Sequence, residues 1–303
     1  MMFNRYRRGL FIASFLAAPV ILYVVYVIAP YLQAFYISLT DWRGVTATPN
    51  FIGLENFERL FGDSAFWLAV THNGALLVLL PLFTIVIALF FAFLLNVGGA
   101  QGTTGIRGSK FYRVVFFFPQ VLAVAVVAVL FQQVFRPDGS GMLNGPLMAL
   151  GFDAIGFLSD RDVAFWSVLG VMVWQAVGFY VVLFSAGLAS IPRDMFEAAQ
   201  IDGASRISLF FRITLPLLWD TVQVAWVYLG ILALDVFAIV WVMTLQQGGP
   251  DRATTVMAAE IYRSAFGHFR FGYASALGVV MFFFTVGFAI LSLRLSRRER
   301  IEY

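Results

Sequence analysis

Six stretches of this chain run almost free of charge for about the twenty residues that a bilayer crossing needs, and nothing else in the sequence limits its fold as tightly. The first lies between Arg8 and Asp41; the others are expected at 71–96, 114–135, 163–188, 219–243 and 271–293. A charged side chain at the centre of a spanning helix costs about 2.5–3.5 kcal/mol on insertion scales, so such stretches read as membrane helices. The first run exceeds one crossing, so its end at 31–40 is expected to tilt or to project beyond the bilayer. Of the 303 residues 61% are apolar and only 12% charged, about half the charged fraction of a soluble domain. Arg5, Arg7 and Arg8 could open a signal peptide. The apolar run after them far exceeds a signal core of about 7–15 residues, and a retained helix is expected. The sequence therefore predicts an all-α polytopic bundle of six transmembrane helices, with an arm at 1–8, the membrane domain at 9–293 and a tail at 294–303.

Six spans place both termini on one side. Arg5, Arg7 and Arg8, then Arg107, Lys110 and Arg113, then Arg193, Arg206 and Arg212, then Arg294, Arg297, Arg298 and Arg300 make 13 of the 20 basic residues. All fall on that side. Arg43, Arg59, Arg136, Arg161, Arg252, Arg263 and Arg270 fall on the other, outnumbered by acidic neighbours. The positive-inside rule then predicts cytoplasmic termini in a bacterial inner membrane. Trp42, Trp67 and Trp166 would sit at the outer interface and Trp219 at the inner one.

Several chemistries are absent. There is no cysteine, which excludes disulfides and thiol catalysis. Gly108-Ser109-Lys110 has the wrong order for a phosphate-binding loop, and Gly139, Gly141 and Gly145 are mis-spaced for a dinucleotide fingerprint. His72 and His268 stand far apart with no clustered carboxylates, which favours capping or interface roles over a metal site. No nucleophile and base are paired, and nothing calls for nucleic acid. If transport is active, its energy comes from another polypeptide or from an ion gradient.

The loop at 189–217 is the most informative segment. Pro192 suits a first helical turn, and Asp194 and Glu197 complement the positive end of a helix dipole. Gly203 can take the left-handed conformation that ends a helix, and Pro216 breaks the run before the fifth span. Met195, Phe196, Ala199 and Ile201 give the short helix an apolar side on a surface that should be wet. Such a face calls for a partner groove or for lipid headgroups. Headgroup-bound helices favour Lys and Arg on their polar face, whereas this one offers Asp194, Glu197 and Asp202.

Glu197-Ala198-Ala199, then Gly203, then Ile213, Leu215 and Pro216 resemble the EAA loop of binding-protein-dependent ABC importer permeases. Gly248-Gly249-Pro250 with Thr254 or Thr255, Ile261-Tyr262, Ala265-Phe266 and Gly272-Tyr273-Ala274-Ser275-Ala276 are similar to the region between the last two spans of carbohydrate permeases of the maltose and glycerol-3-phosphate type. The phrase from Phe51 to Phe57 is similar to the one after their first span. The resemblance implies a type I importer permease with a five-helix core preceded by one helix. It implies partners too: a second homologous permease, two ATPase subunits, an extracytoplasmic solute-binding protein, membrane lipid and a sugar solute. ATP and Mg would sit on the ATPases, with no cofactor in this chain. Met195, Phe196, Glu197, Ala198, Ala199, Asp202 and Gly203 would form the coupling helix that sits in a cleft of the ATPase. Compared with the maltose permease, the extra N-terminal spans and the large outer domain are missing. Two residues within 245–247 look inserted, which bears on the outer gate.

Polar residues within spans are the natural candidates for solute contact. Asp235 interrupts the fifth span about 24 Å along it from Trp219, at 1.5 Å per residue. It faces either a cavity or interfacial water and a neighbouring helix. Trp174, Gln175, Gly178, Phe179 and Tyr180 in the fourth span, and Phe237 in the fifth, combine an amide, a small residue and aromatic faces. Packing alone could also account for the aromatics. No Arg stands in the fourth or fifth span, which favours a neutral sugar over a phosphate ester. A gradient-driven secondary transporter with Asp235 as its coupling site, or a membrane scaffold, would leave the acidic, apolar-faced loop without a role.

Overall fold

The computed structural model describes residues 2–45, 49–97, 108–244 and 248–295. The region 245–247 and most of the basic tail, where the inserted residues and part of the charge pattern fall, lie outside the described residues. So does Arg107. Apart from one antiparallel bridge between Thr40 and Phe51, the described residues are helices and their connections. In chain order the helices are α1 (Met2–Tyr23), α2 (Ala29–Ser38), α3 (Glu55–Phe61), α4 (Ser64–Val97), α5 (Ser109–Val121), α6 (Val124–Val134), α7 (Asn144–Ala149) and α8 (Arg161–Ala189). There follow α9 (Arg193–Ile201), α10 (Arg206–Leu209), α11 (Leu215–Leu217), α12 (Trp219–Leu234), α13 (Ala238–Met243), α14 (Met257–Tyr262) and α15 (Phe271–Leu295).

Among the described residues four helical stretches are long and apolar enough to span a membrane: Phe11–Ser38, Ser64–Asn96, Arg161–Ala189 and Phe271–Leu295. Counting two bent pairs as one span each brings the number to six. The third expected span is not one rod. α5 and α6 meet at 97°, because Leu122 and Ala123 are extended just after Pro119. The run from Arg206 to Leu217 meets α12 at 70°, next to Pro216. The fifth span is broken again: α12 ends at Leu234 and α13 starts at Ala238.

The chain divides into two compact units, 1–66 with 260–282 and 67–259 with 283–303. In the first, the two motif phrases at 51–57 and 272–276 are tied to one turn. Asn56, 2% exposed, donates through Nδ2 to the Ser38 and Thr40 carbonyls, both at 2.8 Å. Gly272 lies so close to the Thr40 carbonyl that a Cβ would collide with it, and its N–H donates to the Trp42 carbonyl at 3.0 Å. Tyr273 Oη donates to Asp63 Oδ2 at 2.7 Å. Tyr31 and Phe35 pack their rings on Phe282, with centroids 5.5 and 5.8 Å apart.

The second unit holds one continuous core that includes Leu80, Ala88, Val127, Phe184, Leu229 and Met243. α5 crosses α8 at Gly178, where the Phe116 backbone occupies the place a Cβ would need. Carbonyls freed at helix ends have no water to turn to in lipid, so protein groups must take them up. Side-chain amides do this here. Gln132 Nε2 donates to the Val242 carbonyl at 2.5 Å at the end of α13, and Gln175 Nε2 to the Leu122 carbonyl at 3.3 Å at the α5–α6 bend.

Candidate coupling helix and solute cavity

The segment from Pro192 to Ser205 is a helix closed by local chemistry at each end. Pro192, with φ −56° and ψ 133°, supplies the extended residue before α9. At the other end Gly203 has φ 77°. Its N–H donates to the Gln200 carbonyl at 3.0 Å, and the Ala204 N–H donates to the Ala199 carbonyl at 2.9 Å. These two bonds form a Schellman motif, which needs a left-handed residue at the position Gly203 fills. Ser205 then caps α10, accepting from the Ser208 N–H at 3.2 Å.

Two expectations about α9 are corrected. Phe196 is 6% exposed and belongs to the chain's own core, with Ala199 packed against it. Hence a large part of the apolar side is covered from within rather than by a partner. The outward surface carries Met195, Glu197, Ala198, Ile201 and Asp202. Ile201 is 86% exposed. The second correction concerns Glu197: only Asp194 lies in the first turn, so Glu197 is too far along the helix to gain much from its dipole.

The candidate solute residues divide between two faces of α8. Gln175 and Phe237 line a cavity of about 260 Å³ together with Gln120, Leu122 and Val236. Trp174 and Gly178 line a different, larger cavity of about 650 Å³, with Phe83, Phe91, Phe116 and Trp166 among its walls. The Trp174 ring packs edge-on against Phe131, with centroids 5.1 Å apart. Phe179 and Asp235 line neither cavity. Asp235 is exposed at the end of α12, where its N–H donates to the Ile231 carbonyl at 3.1 Å. Tyr180 is 3% exposed and packs in the core.

The smaller cavity is walled by apolar side chains and two amides, those of Gln120 and Gln175. Uncharged amides can exchange hydrogen bonds with hydroxyls, and Phe237 adds an aromatic face. Gln120 was missed by the sequence reading. A polar residue beside Pro119 in an otherwise apolar run was the available signal. Among the described residues no three metal-ligating side chains come together.

An all-helical, multi-pass chain with broken spans around a cavity and a short capped helix between spans is the transmembrane component of a transporter. The profile of the family described as "binding-protein-dependent transport system inner membrane component" matches residues 75–301, and the chain belongs to this family. It is a multi-pass protein of the inner membrane. It is 40% identical over 295 residues to the diacetylchitobiose uptake system permease protein NgcF of Streptomyces coelicolor, covering 96% of this chain and 83% of the relative. It is 31% identical to the multiple sugar-binding transport system permease protein MsmF of Streptococcus mutans, over 95% of this chain and 96% of that one. A chain of the bacterial alginate ABC transporter, solved in complex with an alginate pentasaccharide-bound periplasmic protein, has the same fold. The TM-score is 0.81 at 22% identity, over 97% of this chain and 96% of that chain.

Proposed function

We propose that this permease carries a neutral oligosaccharide across the inner membrane, with both termini in the cytoplasm. It pairs with a second, similar permease, takes solute from an extracytoplasmic binding protein and is driven by two ATPase subunits that hold ATP and Mg. The observation that carries the coupling role is α9, whose ends are held by Pro192 and Gly203 while Met195, Glu197, Ala198, Ile201 and Asp202 remain on the outside. A short helix held so firmly acts as a rigid lever when a partner pulls on its exposed face. Support for the solute class comes from the uncharged cavity bearing Gln120, Gln175 and Phe237, and from the relative that takes up diacetylchitobiose. Asp235, Trp174, Gly178 and Phe179 are not in this cavity's lining, and their part in transport is secondary in this reading.

The test is co-purification of an ATPase with the tagged permease, followed by reconstitution with the cognate binding protein. Diacetylchitobiose-loaded binding protein should raise ATP hydrolysis and drive uptake. An ATPase that stays bound but ignores every neutral oligosaccharide would refute the solute class. Failure of any ATPase to co-purify would refute the coupling role.

A further inference from the structure

We propose that Asn73 is a positioning residue of the transport cycle, a clasp through which α4 holds the broken end of α12 and the start of α14 as one body. Asn73 is 1% exposed. Its Nδ2 donates to the Ala233 carbonyl at 2.9 Å and the Leu234 carbonyl at 3.1 Å, while its Oδ1 accepts from the Met257 N–H at 2.8 Å. The two carbonyls lack intrahelical partners because α12 stops at Leu234, and the Met257 N–H lacks one because α14 begins there. Only a side-chain amide offers two donor hydrogens and an acceptor in so small a group. The partners also settle its orientation, since two of them can only accept and one can only donate.

The neighbouring residue strengthens the attachment. His72 Nδ1 lies 2.8 Å from the Thr255 carbonyl and therefore donates to it. Thr254, Thr255, Val256 and Met257 are each at most 2% exposed, so this stretch before α14 is non-helical chain fully inside the protein. Two consecutive residues of α4 thus pin it, and one of them also pins the break at 235–237. Val236 and Phe237 in that break line the 260 Å³ cavity. A displacement of the buried stretch before α14 must then move the cavity wall as well. The inference rests on the reading of that cavity as the solute site.

The test uses the complete transporter, reconstituted with its binding protein. Asn73→Leu keeps the branched shape and the number of heavy atoms and removes all three bonds, and Asn73→Ser keeps at most one donor. In assembled Asn73→Leu complexes, ATP hydrolysed per solute moved should rise about fivefold or more, the lower end of typical coupling between sites. A merely structural loss would lower the amount of complex and leave that ratio at the parental value, which would overturn the proposal. If Asn73→Leu does not assemble, spin labels decide. The chain has no cysteine, so Phe237→Cys and Trp174→Cys each give a single labelling site in it. In the Asn73→Ser background the label at 237 should gain mobility while the label at 174 does not. Equal mobility at 237 with and without Asn73 would overturn the clasp. A parent complex whose hydrolysis ignores loaded binding protein would instead count against the importer reading.

Discussion

The candidate coupling helix and the broken fifth span are built by opposite means. α9 is specified by its neighbours in sequence: Pro192 before it, Gly203 and Ser205 after it. The break at 235–237 is specified from a distance, by Asn73 on α4, while Gln132 on α6 closes the far end of α13. A helix that must keep its shape while a partner engages it is well served by local capping. A break within a span leaves carbonyls that its own helix cannot satisfy, and here side chains from other helices take them up.

The contrast can be tested first at α9 itself. Phe196→Asp places an unpaired carboxylate in the core and should cost about 3 kcal/mol or more, seen as a large drop in thermal stability of the purified permease. Met195→Asp on the outward side should leave that stability unchanged and reduce only retention of the ATPase. If the two variants behave alike, α9 does not have the two distinct faces described. The α5–α8 crossing comes next. Gly178→Ala drives a methyl into the Phe116 backbone and should destabilise by about 1–3 kcal/mol. Gly170→Ala, on the same helix with open space around it, should be neutral or slightly stabilising by thermal unfolding.

Gly203→Val meets no neighbour, so its cost is the left-handed backbone alone, about 1–2 kcal/mol. It should abolish solute-stimulated ATP hydrolysis while the complex still forms, and Gly203→Asn should restore part of it. A fully coupled Gly203→Val transporter would mean that the turn does not set the lever's angle. A modest stability change is expected at Gln175→Ala, which loses one hydrogen bond worth about 1 kcal/mol. Uptake should nevertheless fall, and by more than in Asp235→Ala, because Gln175 lines the cavity and Asp235 does not. The reverse order in a transport assay would move the solute site toward the end of α12.

What could be read from the sequence follows the same division. Four of the apolar runs, the turn at Gly203 and the kink at Pro216 depend on residues next to one another, and the structure has them where the sequence puts them, whereas the third and fifth runs are broken. The 97° bend between α5 and α6 depends on Leu122 being extended and on Gln175, 53 residues away, accepting the task of bonding its carbonyl. Trp174 and Gln175 look like one lining in a linear reading, yet successive helical residues point about 100° apart. The apolar side of α9 reads as a face for a partner because Phe196 is far in sequence from what covers it, yet the core of the same chain reaches it.

Among the described residues three helical runs contain a wide turn: Val24–Ile28, Phe210–Thr214 and Arg263–Gly267. Each is closed by a bond spanning five residues rather than four: the Ala29, Leu215 and His268 N–H groups reach the Val24, Phe210 and Arg263 carbonyls. At the first two places one surplus residue is thus folded into a helix without turning the following side chains to a new face, whereas the third ends its helix. Such turns mark where the chain's length can change. Deleting a single residue at either of the first two leaves an ordinary helix in its old register, whereas the same deletion in the middle of α8 would rotate the rest of that helix out of register. A variant one residue shorter in the first or second of these runs should therefore keep the packing of the helix beyond it.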